Sequence, residues 1–175
     1  MSEIKTRSRP RRTRPPAMHS PIRVAWFTAS AARQLRREVG MFDGVEIGGG
    51  LYGRRQGNSL IIEHVGDLGD RVPRSRDATE IDISHCEALA RAYDSEWKGF
   101  WHVHPEGGGP SPVDLATAGS YINRQTSEWL TVIVLPDEEH DFSGSYTRSP
   151  RVSSYVTQRD AGGQIVHRPL SGGVL

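Results

Sequence analysis

A chain of 175 residues can hold one domain with a full hydrophobic core and is too short for two ordinary ones. It is 35% hydrophobic and 25% charged, and it has no apolar run near the roughly 20 residues needed to cross a bilayer, so a globular cytoplasmic protein is expected. One cysteine, Cys86, excludes an internal disulfide and a cysteine-based zinc site.

The net charge of +1 conceals two parts of opposite sign. Residues 1–20 carry Lys5, Arg7, Arg9, Arg11, Arg12 and Arg14 against Glu3 alone; the remainder holds 16 basic and 20 acidic side chains. With Pro10, Pro15 and Pro16 and little to bury, residues 1–20 read as a disordered basic tail, without the apolar stretch of a secretory signal. Such a tail is a solvated leader, or it touches nucleic acid or an acidic partner. Residues 21–175 are the folded domain.

Along that domain, Ile22 to Phe27 predicts a strand. Ser30 predicts the N-cap of a helix running to Val39, with Leu35 and Val39 on one face. Runs 46–55 and 59–66 form a hairpin about Gln56-Gly57-Asn58, and 67–79, with Pro73, is a loop. Ile81 and Ile83 alternate with acids as a short strand, and His85 to Glu96 has helical spacing. Lys98 to His104 is a strand, Pro105 to Pro110 a loop, and a helix runs from Ser111 to Arg124. Trp129 to Leu135 is a buried strand, and 142–147, 152–157 and 164–168 are further strands. Helices alternate with strands, and then strands follow strands. This predicts one α/β domain with a mixed sheet.

Chemistry concentrates in three blocks. In Trp101-His102-Val103-His104-Pro105, strand geometry sends His102 and His104 to one face, about 7 Å apart at Cα, within reach of one ion. Pro105 ends the strand and leaves the pair at its open end. After a glycine-rich loop, Ser111-Pro112-Val113-Asp114 is a capping box with proline at the first helical position. That box also fixes the Asp114 carboxylate beside the histidine loop. Two imidazoles and a carboxylate with one open position make a catalytic zinc site rather than a structural one. The third block is Glu46-Ile47-Gly48-Gly49-Gly50-Leu51-Tyr52-Gly53. Its glycines suit a strand that another backbone passes closely, and it has no Gly-Lys-Ser/Thr ending that would make it a phosphate loop.

In order and residue type, Glu46 with its glycines, His102-Val103-His104-Pro105 and Ser111-Pro112-Val113-Asp114 resemble the signature of the JAMM (MPN+ or JAB) metalloproteases. The 56-residue gap from Glu46 to His102 fits the same pattern. The resemblance spans roughly residues 22–160. It implies a cytidine-deaminase-like JAB/MPN fold, a mixed sheet flanked by helices. It also implies one zinc per chain on His102, His104 and Asp114, Glu46 as general base and acid, and Ser111 as the oxyanion's hydrogen-bond donor. One departure is that six residues separate His104 from Ser111, where many members have seven.

The implied activity is amide hydrolysis by an isopeptidase or peptidase, with a ubiquitin-like protein or its conjugate as protein partner. The 56-residue spacing and the 61 residues after Asp114 leave no room for large insertions, as in compact prokaryotic JAB domains, some of them encoded in antiphage operons. Alternatives are a processing peptidase for a sulfur-carrier or phage-tail protein, a RadC-like DNA-associated protein using the basic tail, and a non-catalytic scaffold. A zinc nucleobase deaminase is excluded by the missing Pro-Cys-x-x-Cys block. His19, His64, His85, His140 and His167 lack a partner at ligand spacing, Cys86 reads as core, and Asp137 to Asp141 reads as a solvated turn.

Overall fold

The computed structural model describes residues 20–40, 46–67, 69, 81–105, 107–124, 126–135 and 151–174. The basic tail up to residue 19, most of the 67–79 loop, the 142–147 strand and the Asp137–Asp141 turn lie outside them. Strand β1 (Val24–Phe27) leads into helix α1 (Ala29–Val39). Thr28 caps that helix two residues ahead of the expected Ser30, its hydroxyl accepting from Ala31 N–H at 3.1 Å. The hairpin of β2 (Gly48–Gln56) and β3 (Ser59–Val65) turns through Gly57, whose φ of 61° suits glycine.

The short strand expected at Ile81 and Ile83 is instead the start of helix α2 (Ile83–Ala92). Asp82 caps it, accepting from His85 N–H at 3.0 Å, and this local bond outweighs a two-residue alternation. Strand β4 (Glu96–Val103), helix α3 (Pro112–Arg124) and strand β5 (Glu128–Leu135) follow as expected to within two residues. Strands β6 (Arg151–Arg159) and β7 (Ile165–Val174) complete the described chain, and β7 is twice its expected length.

The layered α/β JAB/MPN architecture, a sheet flanked by helices, is not what forms. The seven strands run in the order β1-β3-β2-β4-β5-β6-β7 and close into a mixed barrel, with only three short helices among the described residues. The closure has a specific cause. From Ile165 to Leu170, β7 pairs antiparallel with β6; from Ser171 to Val174 it leaves β6 and pairs parallel with β1. Gly172 permits the crossing, because a Cβ there would stand 2.3 Å from the Ala25 carbonyl oxygen. In the sequence, Pro169, Gly172 and Gly173 look like the end of a strand; in the fold they close the sheet.

The barrel interior is one cluster drawing side chains from every strand, among them Phe27, Leu51, Leu60, Trp101, Val132 and Val156, with Leu170 packed against it. Helix α1 adds Ala31, Ala32, Leu35 and Val39. A second cluster lies on the outer face, where Ala118, Tyr121 and Ile122 of α3 cover Phe100 and Trp129. The pairings make β1, β3, β4, β5 and β7 run in one direction, so their C-terminal ends share one rim with the start of β2. No helix among the described residues is long and apolar enough to cross a membrane.

Candidate metal centre

Strand parity along β4 sends Trp101 and Val103 into the barrel and leaves Phe100 and His102 on the face that α3 covers. Phe100 and His102 ring centroids lie 5.6 Å apart. His104 follows directly after the strand. Its N–H donates to the Val134 carbonyl at 3.0 Å, while Val103 N–H donates to the Ile47 carbonyl at 2.8 Å, so neighbouring strands hold the His102–His104 backbone from both sides.

Beyond it, Gly107 N–H donates to the His104 carbonyl at 3.1 Å, and Gly107 and Gly108 take φ of 80° and 100°, conformations open to glycine. The six-residue loop turns tightly on these glycines and delivers the N-terminus of α3 to the histidines.

There the capping box forms reciprocally. Ser111 Oγ accepts from Asp114 N–H at 3.2 Å, and Ser111 N–H donates to Asp114 Oδ2 at 2.7 Å. Asp114 Oδ1 lies 3.3 Å from His102 Nε2, and Oδ2 lies 3.5 Å from His104 Nε2. The two Nε2 atoms are 2.8 Å apart, and one ligand atom from each of the three residues lies within 4.8 Å of the others. Donors sharing a tetrahedral zinc at about 2.0–2.1 Å stand roughly 3.3 Å from one another. Two imidazole nitrogens and a carboxylate at nearly this spacing fit such an ion in both chemistry and size.

The protonation states suit the same purpose. Burial and the neighbouring His102 lower the pKa of His104 below 6.5, partly opposed by the charges of Asp114 and Glu46, which keeps it neutral with a lone pair to offer. Burial alone would raise Asp114, but the hydrogen bond and charge of His102, with the bonds from Ser111, hold it at about 2.

Glu46 enters by register. Gly48 pairs with His102, and Glu46, two residues ahead of β2 and half-buried, lies where its charge reaches the His104 ring. The glycines between them answer a steric demand. A Cβ on Gly48 would stand 2.3 Å from the Trp101 carbonyl oxygen and 2.8 Å from His102 Cβ, and one on Gly49 would stand 1.9 Å from the Gly66 oxygen. The fold therefore brings together all five residues singled out in the sequence, Glu46, His102, His104, Ser111 and Asp114.

The other histidines are engaged elsewhere. His85 Nε2 pairs with Asp67 at 2.6 Å, His64 stacks on Tyr93, and His167 bonds Thr157. His19 and His140 lie outside the described residues. Cys86 is fully buried, and burial pushes its thiol up to about 11. Val113 was not singled out; it stands 72% exposed beside Asp114, an apolar side chain at the site's edge.

No family model matches the chain, and no curated protein matches it. Among solved structures it is similar to the solution structure of protein DSY2949 from Desulfitobacterium hafniense, with a TM-score of 0.59 over 87% of this chain and 92% of that one. The two are 17% identical, so the likeness is one of fold.

Proposed function

We propose that the chain is a zinc-dependent peptidase or isopeptidase using JAMM-type chemistry, with one ion on His102, His104 and Asp114. One observation carries this reading: ligand atoms of three residues from two separate sequence blocks converge within 4.8 Å, with the charge of Glu46 acting on one of them, His104. A zinc ion held there supplies Lewis acidity and lowers the pKa of a water molecule toward about 7.

The chain's own residues do the rest. The Glu46 carboxylate accepts a proton from the attacking water and returns it to the leaving amide nitrogen, so the base of one step is the acid of the next. Ser111 uses its oxygen and its N–H in the helix cap, and the hydroxyl hydrogen is outside that cap. It donates to the developing oxyanion, a role whose loss costs on the order of 3 kcal/mol of transition-state binding in comparable sites. Asp114, locked by the same cap, holds its carboxylate toward both imidazoles.

The motif resemblance extends the reading to the substrate class, a ubiquitin-like protein or its conjugate. Metal analysis of purified protein should return about one zinc per chain. Glu46→Gln should keep that zinc and lose cleavage of a ubiquitin-like fusion. Wild-type protein that neither binds zinc nor responds to chelator would defeat the proposal, as would a Glu46→Gln variant of full activity.

A further inference from the structure

Strands β6 and β7 part company before they reach the barrel rim. Their ladder ends at the pair Ser154–Leu170. Beyond it, among the described residues, Ser171–Val174 of β7 pair with β1 alone and Arg151–Ser153 of β6 pair with β5 alone. A wedge opens between two strand edges, and the backbone N–H and C=O groups that face it have no ladder partners.

The side chains around the wedge lack a neighbour. Alternation puts Val152 and Ser154 on the face of Val156, and Gly172 and Val174 on the face of Leu170, so all four turn toward the barrel core. Yet Val152 is 42% exposed and Val174 53%. These residues, with Phe27, Leu35 and Leu170, line a cavity of about 170 Å³. Sites for whole small ligands run roughly 300–1,000 Å³, whereas a cavity of ~150 Å³ admits a single benzene ring. Unpaired backbone beside room for one side chain selects an extended chain segment, because a strand satisfies such an edge and sends only every second side chain inward.

We infer that the wedge accepts an extended segment of a partner polypeptide as an added strand, beside β6 in the lane that β7 vacates. Continuing the β6–β7 register sets one inward residue of that segment opposite Val152. Its side chain fills the cavity and is bulky and apolar, while its two neighbours point outward. Val152 pairs with Val134, whose carbonyl accepts from His104 N–H, so the added strand lies on the same rim as the proposed metal centre.

The test is a titration of the full ¹⁵N-labelled chain with acetyl-Ser-Thr-Xaa-Thr-Ser-amide, with Xaa as Ala or Phe. The amides of Val152, Gly172 and Gly173 should shift. The Phe peptide should bind about tenfold more tightly than Ala, the value of one buried side chain. Two further Phe peptides carry an N-methyl group, one at Phe and one at the threonine after it. Successive amides of a strand face opposite edges, so methylation of the one that faces β6 should weaken binding about fivefold, the loss of one backbone hydrogen bond.

In dilute free protein, the wedge-facing amides among Arg151–Ser153 and Ser171–Val174 should exchange rapidly with deuterium, and the Phe peptide should slow them. Val152→Lys and Val174→Lys alter exposed positions and should each weaken the Phe peptide while leaving the rest of the spectrum in place. The inference is overturned if Ala and Phe peptides bind equally, if neither N-methyl group weakens binding, or if the shifts map elsewhere. Slow exchange in dilute free protein also overturns it, because the wedge would already be filled. So does protection that grows with protein concentration alone, which would make the occupant a second copy. None of these readouts uses zinc or turnover, so the peptidase reading stands or falls separately.

Discussion

Replacing Gly48 with alanine tests whether the glycine run exists to seat the proposed metal ligands. The added Cβ would meet the Trp101 carbonyl oxygen at 2.3 Å and His102 Cβ at 2.8 Å, both far inside normal contact. Backbone cannot yield as a flexible side chain can, so β2 and β4 must separate at His102. Overpacking of this kind costs about 1–3 kcal/mol, or about 3–10 °C in Tm for a chain of this size.

Stability loss alone would prove little, and Gly53→Ala supplies the control. Its Cβ would stand 1.9 Å from the Ile61 carbonyl oxygen, an equal offence, but Gly53 pairs with Glu96 near the opposite rim. Both variants should melt earlier. Only Gly48→Ala should lose zinc affinity, by at least about tenfold, because only there does the strain fall on a ligand's own backbone. Competition against a chromophoric chelator measures this directly. If the two variants bind zinc equally well, Gly48 has no part in forming the site.

Three further outcomes follow from buried groups. Asp114 titrates at about 2 against an ordinary 3.8, so in metal-free protein its ionised form adds on the order of 2 kcal/mol above pH 4, lost as pH falls through the folded value. Urea melts of metal-free wild type and Asp114→Ala should therefore differ at pH 6 and converge toward pH 2. At the other rim, Glu128 is buried between Lys98 at 3.5 Å and Arg55 at 2.9 Å. Glu128→Ala leaves Lys98 with Glu96 at 2.6 Å and Arg55 with the Gly57 and Ser20 carbonyls, and should cost about 1–3 kcal/mol in urea unfolding without changing zinc affinity. Cys86, fully buried with its thiol raised to about 11, should resist a thiol reagent at pH 8 until denaturant is added.

The site was legible in the sequence because its determinants are local. Alternation along β4 is enough to put His102 beside His104 and turn Trp101 away, and the Ser111–Asp114 box declares itself by spacing. The helix starts are less sharply marked. Thr28 and Ser30 are both good caps, and only the chain's exit from β1 decides between them. Ile81-Asp82-Ile83 offered two readings, alternation or a capped helix, and so short a stretch cannot choose by pattern. Barrel closure was not legible at all. It depends on β7 exchanging β6 for β1 at Ser171, a contact about 145 residues away in sequence, through glycines that ordinarily weaken a strand.

The corrected architecture also explains why His102, His104 and Asp114 converge in a fold other than the one expected. Every side chain of the centre lies on β4, on the start of α3 or within two residues of the ends of β2, β4 and α3, fixed by the pairing of Gly48 with His102 and by the cap at Ser111. Val134 of β5 secures the last histidine's backbone. None of these contacts involves β1 or β7, where the sheet closes. A flat sheet and a barrel would hold the same three blocks in the same relation, provided β2 lay beside β4 and α3 covered the face of Phe100. Weakening the seam should accordingly separate the two levels. Gly172→Ala, which drives a Cβ toward the Ala25 carbonyl oxygen at 2.3 Å, should lower Tm through the β1–β7 pairing. Below that melting point, zinc affinity should match wild type. Zinc loss in the folded variant would mean that closure itself shapes the centre.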